Sequence, residues 1–398
     1  MIDFDKILEK EPQVTFFPDW ETKGEAKGRD LSGIKVLSYE GAPLKGQPTK
    51  VFAHLGYPER MDGPCPAVVL VHGGGGHPED IWIKKWNERG FAAISMDTTG
   101  FFPQKPIPYL YEGFAEGLER KLSAPFYEEG FTVGPTNSEM GDMDLPIEDE
   151  WMYHAVSAVI LAHNILRADP KIDSEKIGIS GISWGGVITS ITIGYDHRFA
   201  FAVPIYGSGY LSCGLAGLNR VWRRSGAQRW FAERRFSDLK MPVLWLCWND
   251  DCCFSVQSNS MSYLETKDNN PATRLSMLHQ MGHSHEKGYR PEESFWFGKE
   301  IIEGRSIPKV DARKEGSSLR YECDAPLKAV RLFYITEQMT YILRDKYHYK
   351  NSTFMEQEWQ ILDLDPAKNS ASLPEETKGY YLEFTLENDL VLTTAFYE

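Results

Sequence analysis

The sequence KIGISGISWGG, residues 176–186, places one serine among glycines directly after a β-type run. Residues 181–185 have the spacing G-x-S-x-G, which in a nucleophile elbow holds a serine on a sharp turn between a strand and a helix. Glycines let the backbone turn where side chains would collide, and the following helix points its positive dipole end at the serine. The stretch predicts Ser183 as a nucleophile, and a plain turn of small residues is the alternative.

Short apolar runs alternate with amphipathic segments from about residue 65 to residue 303, which is typical of β–α units around a parallel sheet. The runs are nearly continuous in apolar residues, as expected of strands buried on both faces. We predict strands at residues 66–72, 91–97, 176–183, 201–207, 241–248 and 273–279 and helices at 78–89, 148–167 and 184–195. Residues 33–60 are predicted to form an edge hairpin.

The chain of 398 residues is long enough for more than one folding unit. We expect an α/β unit over residues 1–305, with a mostly parallel central sheet and helices on both faces. This unit has an N-terminal arm, residues 1–30, and two insertions, residues 98–147 and 208–240. After Gly304 only short β-type segments separated by turn residues occur, which indicates a small all-β sandwich over residues 306–398.

Net charge, apolar runs and cysteine spacing argue against several classes of protein. The formal net charge is -14, which argues against nucleic acid as a partner because phosphate backbones favour basic surfaces. Acidic residues are interleaved in the N-terminal sequence, so we expect no export signal. No run of 18 apolar residues occurs, so we expect a cytoplasmic protein without membrane contact. The six cysteines lack paired CxxC spacing, which favours reduced thiols and no metal site. No cofactor is expected.

The sequence HGGGG, residues 72–76, follows the first central strand and is a candidate oxyanion loop. Acyl transfer needs preset N–H donors for the developing negative charge, and glycines allow the main chain to approach a substrate closely. The predicted donors are the backbone N–H groups of Gly73–Gly75, with Gly74 and Gly75 as the oxyanion-hole residues, together with the N–H of Trp184. A flexible glycine loop is the alternative.

A serine nucleophile needs a histidine base, itself oriented by a carboxylate, in the chain order Ser, acid, His. Asp250 follows a central strand and is the expected acid, with Asp251 as the alternative and a pair of turn aspartates as the plain interpretation. His283 lies in the loop after the last strand and is the expected base, with His285 as the alternative. A metal site at His-x-His lacks supporting carboxylate or cysteine spacing. The remaining histidines that we expect to be structural are His72, His77, His154, His163 and His197, and His279 is expected on the strand.

The second insertion is basic and aromatic in an otherwise acidic chain. An anionic or sugar-like ligand could be held there by ion pairs and ring stacking. We favour the simpler interpretation, a solvated face with apolar residues packed beneath it. The residues concerned are Arg220, Arg223, Arg224, Arg229, Arg234 and Arg235 with Trp222, Trp230, Phe231 and Phe236.

On these residues the chain resembles the α/β-hydrolase superfamily, and within it the acetyl xylan esterase, dienelactone hydrolase and prolyl-oligopeptidase-like group. The resemblance covers about residues 30–303 and includes RADPKIDSEKIGISG, DHRFAFAVPIYG, MPVLWLCWND and the QMGH loop. It implies Ser183 as nucleophile, Asp250 as acid and His283 as base. WNDDCCF departs from the group in lacking the usual glycine before the acid, and the tail resembles appended immunoglobulin-like sandwiches.

These observations predict a metal-independent serine esterase that acts on a small-molecule ester through an acyl-serine intermediate, for instance an acetyl ester of a carbohydrate. A prolyl-oligopeptidase-like peptidase shares the triad, but such enzymes usually carry a large N-terminal propeller, and about 60 residues precede the first central strand here. A noncatalytic binding protein on the same scaffold is the second alternative. Substrate-binding residues are not indicated, and a homo-oligomer is left open.

Overall fold

A computed structural model describes residues 2–18, 25–26, 29–30, 32–101, 132–210, 219–251, 253–337 and 358–398. Much of the first insertion, part of the second, and Cys213 and Cys252 lie outside these ranges. The strands are β1 (Val14–Phe16), β2 (Glu25–Ala26), β3 (Arg29–Asp30), β4 (Lys35–Glu40), β5 (Thr49–Gly56), β6 (Cys65–Val71), β7 (Ala92–Met96), β8 (Thr132–Val133), β9 (Ile172–Ile182), β10 (Ala202–Ile205), β11 (Leu244–Trp248), β12 (Arg274–Leu278), β13 (Val310–Glu315), β14 (Ser318–Cys323), β15 (Leu327–Ile335), β16 (Gln360–Leu364), β17 (Ser370–Ser372), β18 (Gly379–Leu386) and β19 (Val391–Thr393).

Helices precede, connect and follow the strands of the main sheet. They are α1 (Asp5–Leu8), α2 (Asp80–Asn87), α3 (Trp151–Ala168), α4 (Trp184–Thr192), α5 (Asn219–Trp222), α6 (Val256–Thr266), α7 (His285–Gly288) and α8 (Glu292–Ile302). On one side of the sheet, α2 contacts α8 through the rings of Trp86 and Phe295, whose centroids lie 4.8 Å apart. Helix α3 packs on α4, and its apolar residues recur around most of its circumference because it is buried on nearly every side.

The main sheet has ten strands in the order β1-β4-β5-β7-β6-β9-β10-β11-β12, with β8 beside β5. Pairing is antiparallel from β1 to β7 and parallel from β7 through β12. The predicted mostly parallel sheet is therefore confirmed. β4 and β5 form the predicted hairpin, but β1 pairs with β4 and is the edge strand. Because the carboxyl ends of the parallel strands lie along one edge, the loops that follow β6, β9, β11 and β12 meet there.

Two small antiparallel sheets follow α8, one in the order β13-β14-β17 and the other β16-β15-β18-β19. Alternate residues of β15 face two different cores. Val330 and Leu332 pack toward the first of these small sheets, whereas Phe333 and Ile335 belong to the core of the main sheet. The four-stranded sheet is thus a middle layer, and the domain division at residue 306 and the immunoglobulin-like comparison stay predictions.

The last strand of the main sheet is covered by this middle layer. The Ser276 hydroxyl donates to the Val391 carbonyl oxygen at 2.8 Å, and the Met277 amide donates to the Thr393 hydroxyl at 3.2 Å.

Four cysteines described by the structure (Cys65, Cys247, Cys253 and Cys323) form no disulfide. Within the same described ranges, no helix combines the length and the apolar character needed to cross a bilayer.

Candidate active site

Ser183 lies on a sharp turn between β9 and α4, with φ 57° and ψ −119°. Residues with a side chain rarely adopt this backbone conformation. Close packing maintains it, because a Cβ atom at Gly185 would lie 2.0 Å from the Val71 carbonyl oxygen and one at Gly181 would lie 2.1 Å from the Gly185 carbonyl oxygen. The Ser183 amide donates to the Ile205 carbonyl oxygen at 3.0 Å. The half-buried side chain is therefore presented at the carboxyl edge of the sheet.

His283 lies in the loop after β12, and its Nε2 is 2.9 Å from the Ser183 Oγ. The preceding Gly282 has φ 79°, a left-handed conformation that favours glycine. The ring of Tyr206 lies against the imidazole, with centroids 4.4 Å apart, and its hydroxyl donates to the Ser284 carbonyl oxygen. Tyr206 thus contacts both the imidazole and the backbone next to it. The structure brings together Ser183 and His283, as the sequence predicts.

The carboxylate that contacts His283 belongs to Asp251, which corrects the expectation for Asp250. Asp251 Oδ2 lies 2.6 Å from His283 Nδ1, and its Oδ1 accepts the amides of Cys253 and Phe254 at 2.7 and 2.9 Å. Asp250 instead accepts the indole N–H of Trp359 at 2.8 Å. Neighbouring residues in a turn point in different directions, so the two carboxylates have separate partners.

The hydrogen bonds define the state of the imidazole of His283. A carboxylate can only accept, so Nδ1 carries the proton that is donated to Asp251. A neutral imidazole then has an acceptor lone pair on Nε2, which faces the Ser183 hydroxyl. The arrangement can accept a proton from Ser183 and stabilise the imidazolium with a buried carboxylate.

His285, the alternative base, contacts the glycine loop. Its Nε2 accepts the Gly73 amide at 2.9 Å, and burial lowers the pKa of this imidazole. Its neutral form is therefore the one that supports the loop, since protonation of Nε2 would remove the acceptor. The structure thus gives His285 a contact with Gly73, and it places His283 against Ser183.

The predicted oxyanion donors lie around Ser183. Gly74 packs against the Trp184 ring, because a Cβ atom at Gly74 would lie 2.7 Å from Trp184 Cδ1. Gly75 has φ 69°, and both glycines are exposed. Trp184 begins α4, where backbone N–H groups have no acceptor within the helix. The Gly73 amide, by contrast, is already bound to His285.

His72 joins the ends of two central strands beneath this loop. Its Nδ1 lies 2.8 Å from the Gly73 carbonyl oxygen, and its Nε2 accepts the Thr98 amide at 3.1 Å. Burial lowers the pKa of His72 to about 3, so the ring is neutral. Burial also raises the pKa of nearby Asp97 to about 6. These contacts are structural, and they fix the start of the HGGGG loop.

Two aromatic residues near the elbow were not singled out as site residues from the sequence. The ring of Trp151 meets that of Trp184 edge-on at 5.2 Å, and its Nε1 donates to the Thr98 carbonyl oxygen at 2.7 Å. Trp222, from the second insertion, lies 5.7 Å from Trp184. All three rings are buried. The apolar period of α3 marks Trp151 as buried, but only the tertiary structure places it beside the elbow.

The basic insertion makes structural contacts. Arg224 donates to the Glu139 carbonyl oxygen at 2.8 Å, and Arg229 pairs with buried Glu150 at 3.0 Å. Arg235 lies over the Tyr195 ring, 4.1 Å from its centroid. These contacts support the simpler interpretation of the insertion as a packed face. Arg220 has no described side chain.

One group of side chains among the described residues has donor atoms close enough to hold a metal ion. The donor atoms of Asp251, Cys253 and His283 all lie within 4.8 Å of one another. Asp251 is buried, and the other two are half-buried.

The order of the central strands and the position of Ser183 identify the fold. Ser183 follows the central strand β9 on a strained strand-to-helix turn, and a carboxylate and a histidine follow it in that chain order. This combination is the hallmark of one fold. The chain has the α/β-hydrolase fold.

No family model matches the chain, and no curated protein matches it. Similar solved structures include acetyl xylan esterase 1 from Thermoanaerobacterium sp. JW/SL YS485, with 14% identity, a TM-score of 0.49 and coverage of 75% of this chain and 92% of that chain. Acetyl xylan esterase from Paenibacillus sp. R4 has 18% identity, a TM-score of 0.48 and coverage of 74% and 88%. A Mycobacterium tuberculosis puromycin-hydrolyzing peptidase has 16% identity, a TM-score of 0.49 and coverage of 70% and 41%.

Proposed function

We propose that this α/β-hydrolase is a serine hydrolase that cleaves carboxylic esters of small molecules. The observation that carries the proposal is the continuous hydrogen-bonded chain from Ser183 Oγ to His283 Nε2 and from His283 Nδ1 to Asp251 Oδ2, at 2.9 and 2.6 Å. A noncatalytic protein on this scaffold has no need of a base aligned on a strained serine.

The proposed reaction has two steps. Ser183 Oγ attacks the ester carbonyl carbon while His283 Nε2 takes its proton, and Asp251 stabilises the imidazolium. The proton then passes to the departing alcohol, which leaves an acyl-serine. Water, activated by the same imidazole, attacks the acyl group and releases the acid. The proposed reaction steps use no metal or cofactor.

The carbonyl oxygen becomes negatively charged in both steps. We assign its stabilisation to the backbone N–H groups of Gly74, Gly75 and Trp184, since the Gly73 amide is bound to His285. One such donor is worth about 3 to 4 kcal/mol in the transition state. The neutral His285 supports this role indirectly, because it holds the first glycine of the loop.

Covalent labelling tests the proposal directly. We expect a fluorophosphonate probe to label the wild-type protein and not Ser183→Ala, and a short activated ester to be hydrolysed only by the former. Ser180→Ala is the matched control, since Ser180 is buried in the preceding strand. An unlabelled wild-type protein would support the noncatalytic alternative.

Substrate class is tested with a panel of acetylated sugars, aryl esters and aminoacyl amides. We expect the esters to be hydrolysed. Acetyl esters of sugars are the first class to test. Cleavage of aminoacyl amides in preference to esters would replace the esterase proposal by the peptidase one, with the same triad.

A further inference from the structure

A thiol lies close to two members of the proposed triad, Asp251 and His283. Cys253 is two residues after Asp251, and its own amide donates to Asp251 Oδ1 at 2.7 Å. This bond fixes the backbone of Cys253 relative to the carboxylate. The thiol sulfur, a carboxylate oxygen and a ring nitrogen of His283 form a compact set of donor atoms. The sequence DDCCF therefore brings a sulfur ligand to the site.

These three donor types suit a borderline-soft divalent ion. Zn²⁺ takes four ligands in a tetrahedron, at about 2.3 Å from thiolate sulfur and about 2.0 to 2.2 Å from imidazole nitrogen and carboxylate oxygen. Donors around such an ion lie closer together than the 4.8 Å limit found here, so small side-chain movements suffice. Water would supply the fourth ligand. Access is from the side of Cys253 and His283, which are half-buried.

We propose that Asp251, Cys253 and His283 form an inhibitory Zn²⁺ site, an inference that rests on the proposed hydrolase function. The ion binds Nδ1 of His283 in place of the hydrogen bond to Asp251. The Nδ1 proton is then carried on Nε2, and the thiol proton of Cys253 passes to water. No electron is transferred and no covalent bond other than these N–H and S–H bonds changes.

Inhibition follows from the tautomer. With its proton on Nε2, His283 presents a donor to Ser183 Oγ, although the reaction needs an acceptor there. Asp251 is also engaged by the ion, so it no longer stabilises an imidazolium. Zinc should therefore lower kcat, and a chelator should restore it. Substrate binding is not involved, so KM should change little.

Zinc titration of ester hydrolysis tests the site. Wild-type protein should lose activity as Zn²⁺ rises, and Cys253→Ser, compared with its own zinc-free rate, should need at least about 10-fold more Zn²⁺ for half-inhibition. Even outer-shell partners of a metal are worth about 10- to 100-fold in affinity. Cys323→Ser is the matched control, since Cys323 is another half-buried thiol. Equal sensitivity of Cys253→Ser and wild type would overturn the proposal.

A second measurement does not depend on activity. Co²⁺ added to Ser183→Ala should produce a thiolate-to-cobalt charge-transfer band, which should be absent from Ser183→Ala with Cys253→Ser or Cys253→Ala. Absence of the band from Ser183→Ala would also overturn the site. If the band appears but no ester is hydrolysed, the metal site stands and the proposed function fails. Far-UV circular dichroism of each variant verifies folding.

Discussion

Two adjacent aspartates differ in what their carboxylates contact, and this difference decides the chemistry of the site. Asp251 is 3% exposed and bonds to His283, whereas Asp250 bonds to Trp359. Only a carboxylate on Nδ1 keeps the base in the correct tautomer and stabilises its charged form. The hydrogen bond to His283 therefore separates two residues that the sequence alone cannot, and in the proposed reaction Asp251 is the one that stabilises the charged base.

Substitution by asparagine distinguishes them. Asp251→Asn should lower kcat by about 10³- to 10⁴-fold, because the amide favours the wrong tautomer of His283. Asp250→Asn should leave kcat within about 3-fold of wild type, because its amide oxygen still accepts the Trp359 N–H. Steady-state ester hydrolysis measures both. The reverse order of effects would restore Asp250 as the acid.

Ser183 and His283 could be predicted because a motif and a chain order constrain them. G-x-S-x-G after a strand leaves one serine, and Gly282 before His283 marks a turn. The acid has no such constraint. Whether residue 250 or residue 251 faces the imidazole depends on the amides of Cys253 and Phe254 and on a tryptophan 109 residues beyond Asp250. No local pattern encodes that long-range contact.

At the scale of elements, the four-stranded sheet contacts the loop that carries the acid. Trp359 precedes β16 and bonds to Asp250, and the Phe396 amide donates to the Ser260 hydroxyl of α6 at 2.8 Å. The acid loop lies between β11 and α6. One hydrogen bond is made to the loop itself, at Asp250, and the other to the helix that follows it, at Ser260. The central strands were predictable because buried parallel strands read as apolar runs. The contacts of β15 with two cores were not predictable, because an apolar stretch of sequence indicates that a strand is buried but not which elements it packs against.

We expect the Trp359–Asp250 hydrogen bond to position the acid loop. Trp359→Phe and Asp250→Ala should each lower kcat by about 5- to 30-fold with little change in KM, which corresponds to about 1 to 2 kcal/mol. The double variant should lose no more than either single one, because both remove the same bond. Asp250→Asn is the conservative control. Additive losses in the double variant would show that the two residues act separately.

At the scale of the whole molecule, the C-terminal β layers complete the core of the α/β unit. Phe333, Tyr381 and Phe396 are buried in that core, and the Arg274 side chain donates to the carbonyl oxygens of Ile307 and Pro308. A unit that ends at residue 305 would expose these apolar side chains to water and remove two of the four carbonyl acceptors of the buried Arg274 guanidinium.

The chain 1–305 is therefore expected to lack a cooperative unfolding transition and ester hydrolysis, whereas the full chain unfolds in one step. Phe396→Ala in the full chain should lower the free energy of unfolding by about 3 to 5 kcal/mol, the usual cost of removing a buried phenyl ring. Calorimetry and denaturant titration measure these quantities. A folded, active 1–305 would show instead that the β layers are an independent domain.

The pH dependence of stability follows from histidines that are buried as neutral rings. Burial lowers the pKa of His54 and His72 to about 3 and that of His154 to about 4, from the ordinary value of about 6.5. Between about pH 6.5 and about pH 3, the unfolded chain binds more protons than the folded protein does. The free energy of unfolding therefore decreases as the pH is lowered through this range.

Asp97 acts in the opposite direction. Its pKa is raised to about 6, so the folded state takes up a proton before the unfolded chain does, and acidification from about 6 to about 4 adds stability at this site. Among the described residues, six histidines have a lowered pKa and five carboxyl groups have a raised one, so the histidines predominate and we expect the denaturant concentration at half-unfolding to decrease as the pH is lowered from 6.5 to 4. Asp97→Asn should steepen this decrease, because it removes one of the opposing groups. If the midpoint of denaturation increases as the pH is lowered from 6.5 to 4, buried carboxyl groups and not the histidines determine the pH dependence of stability.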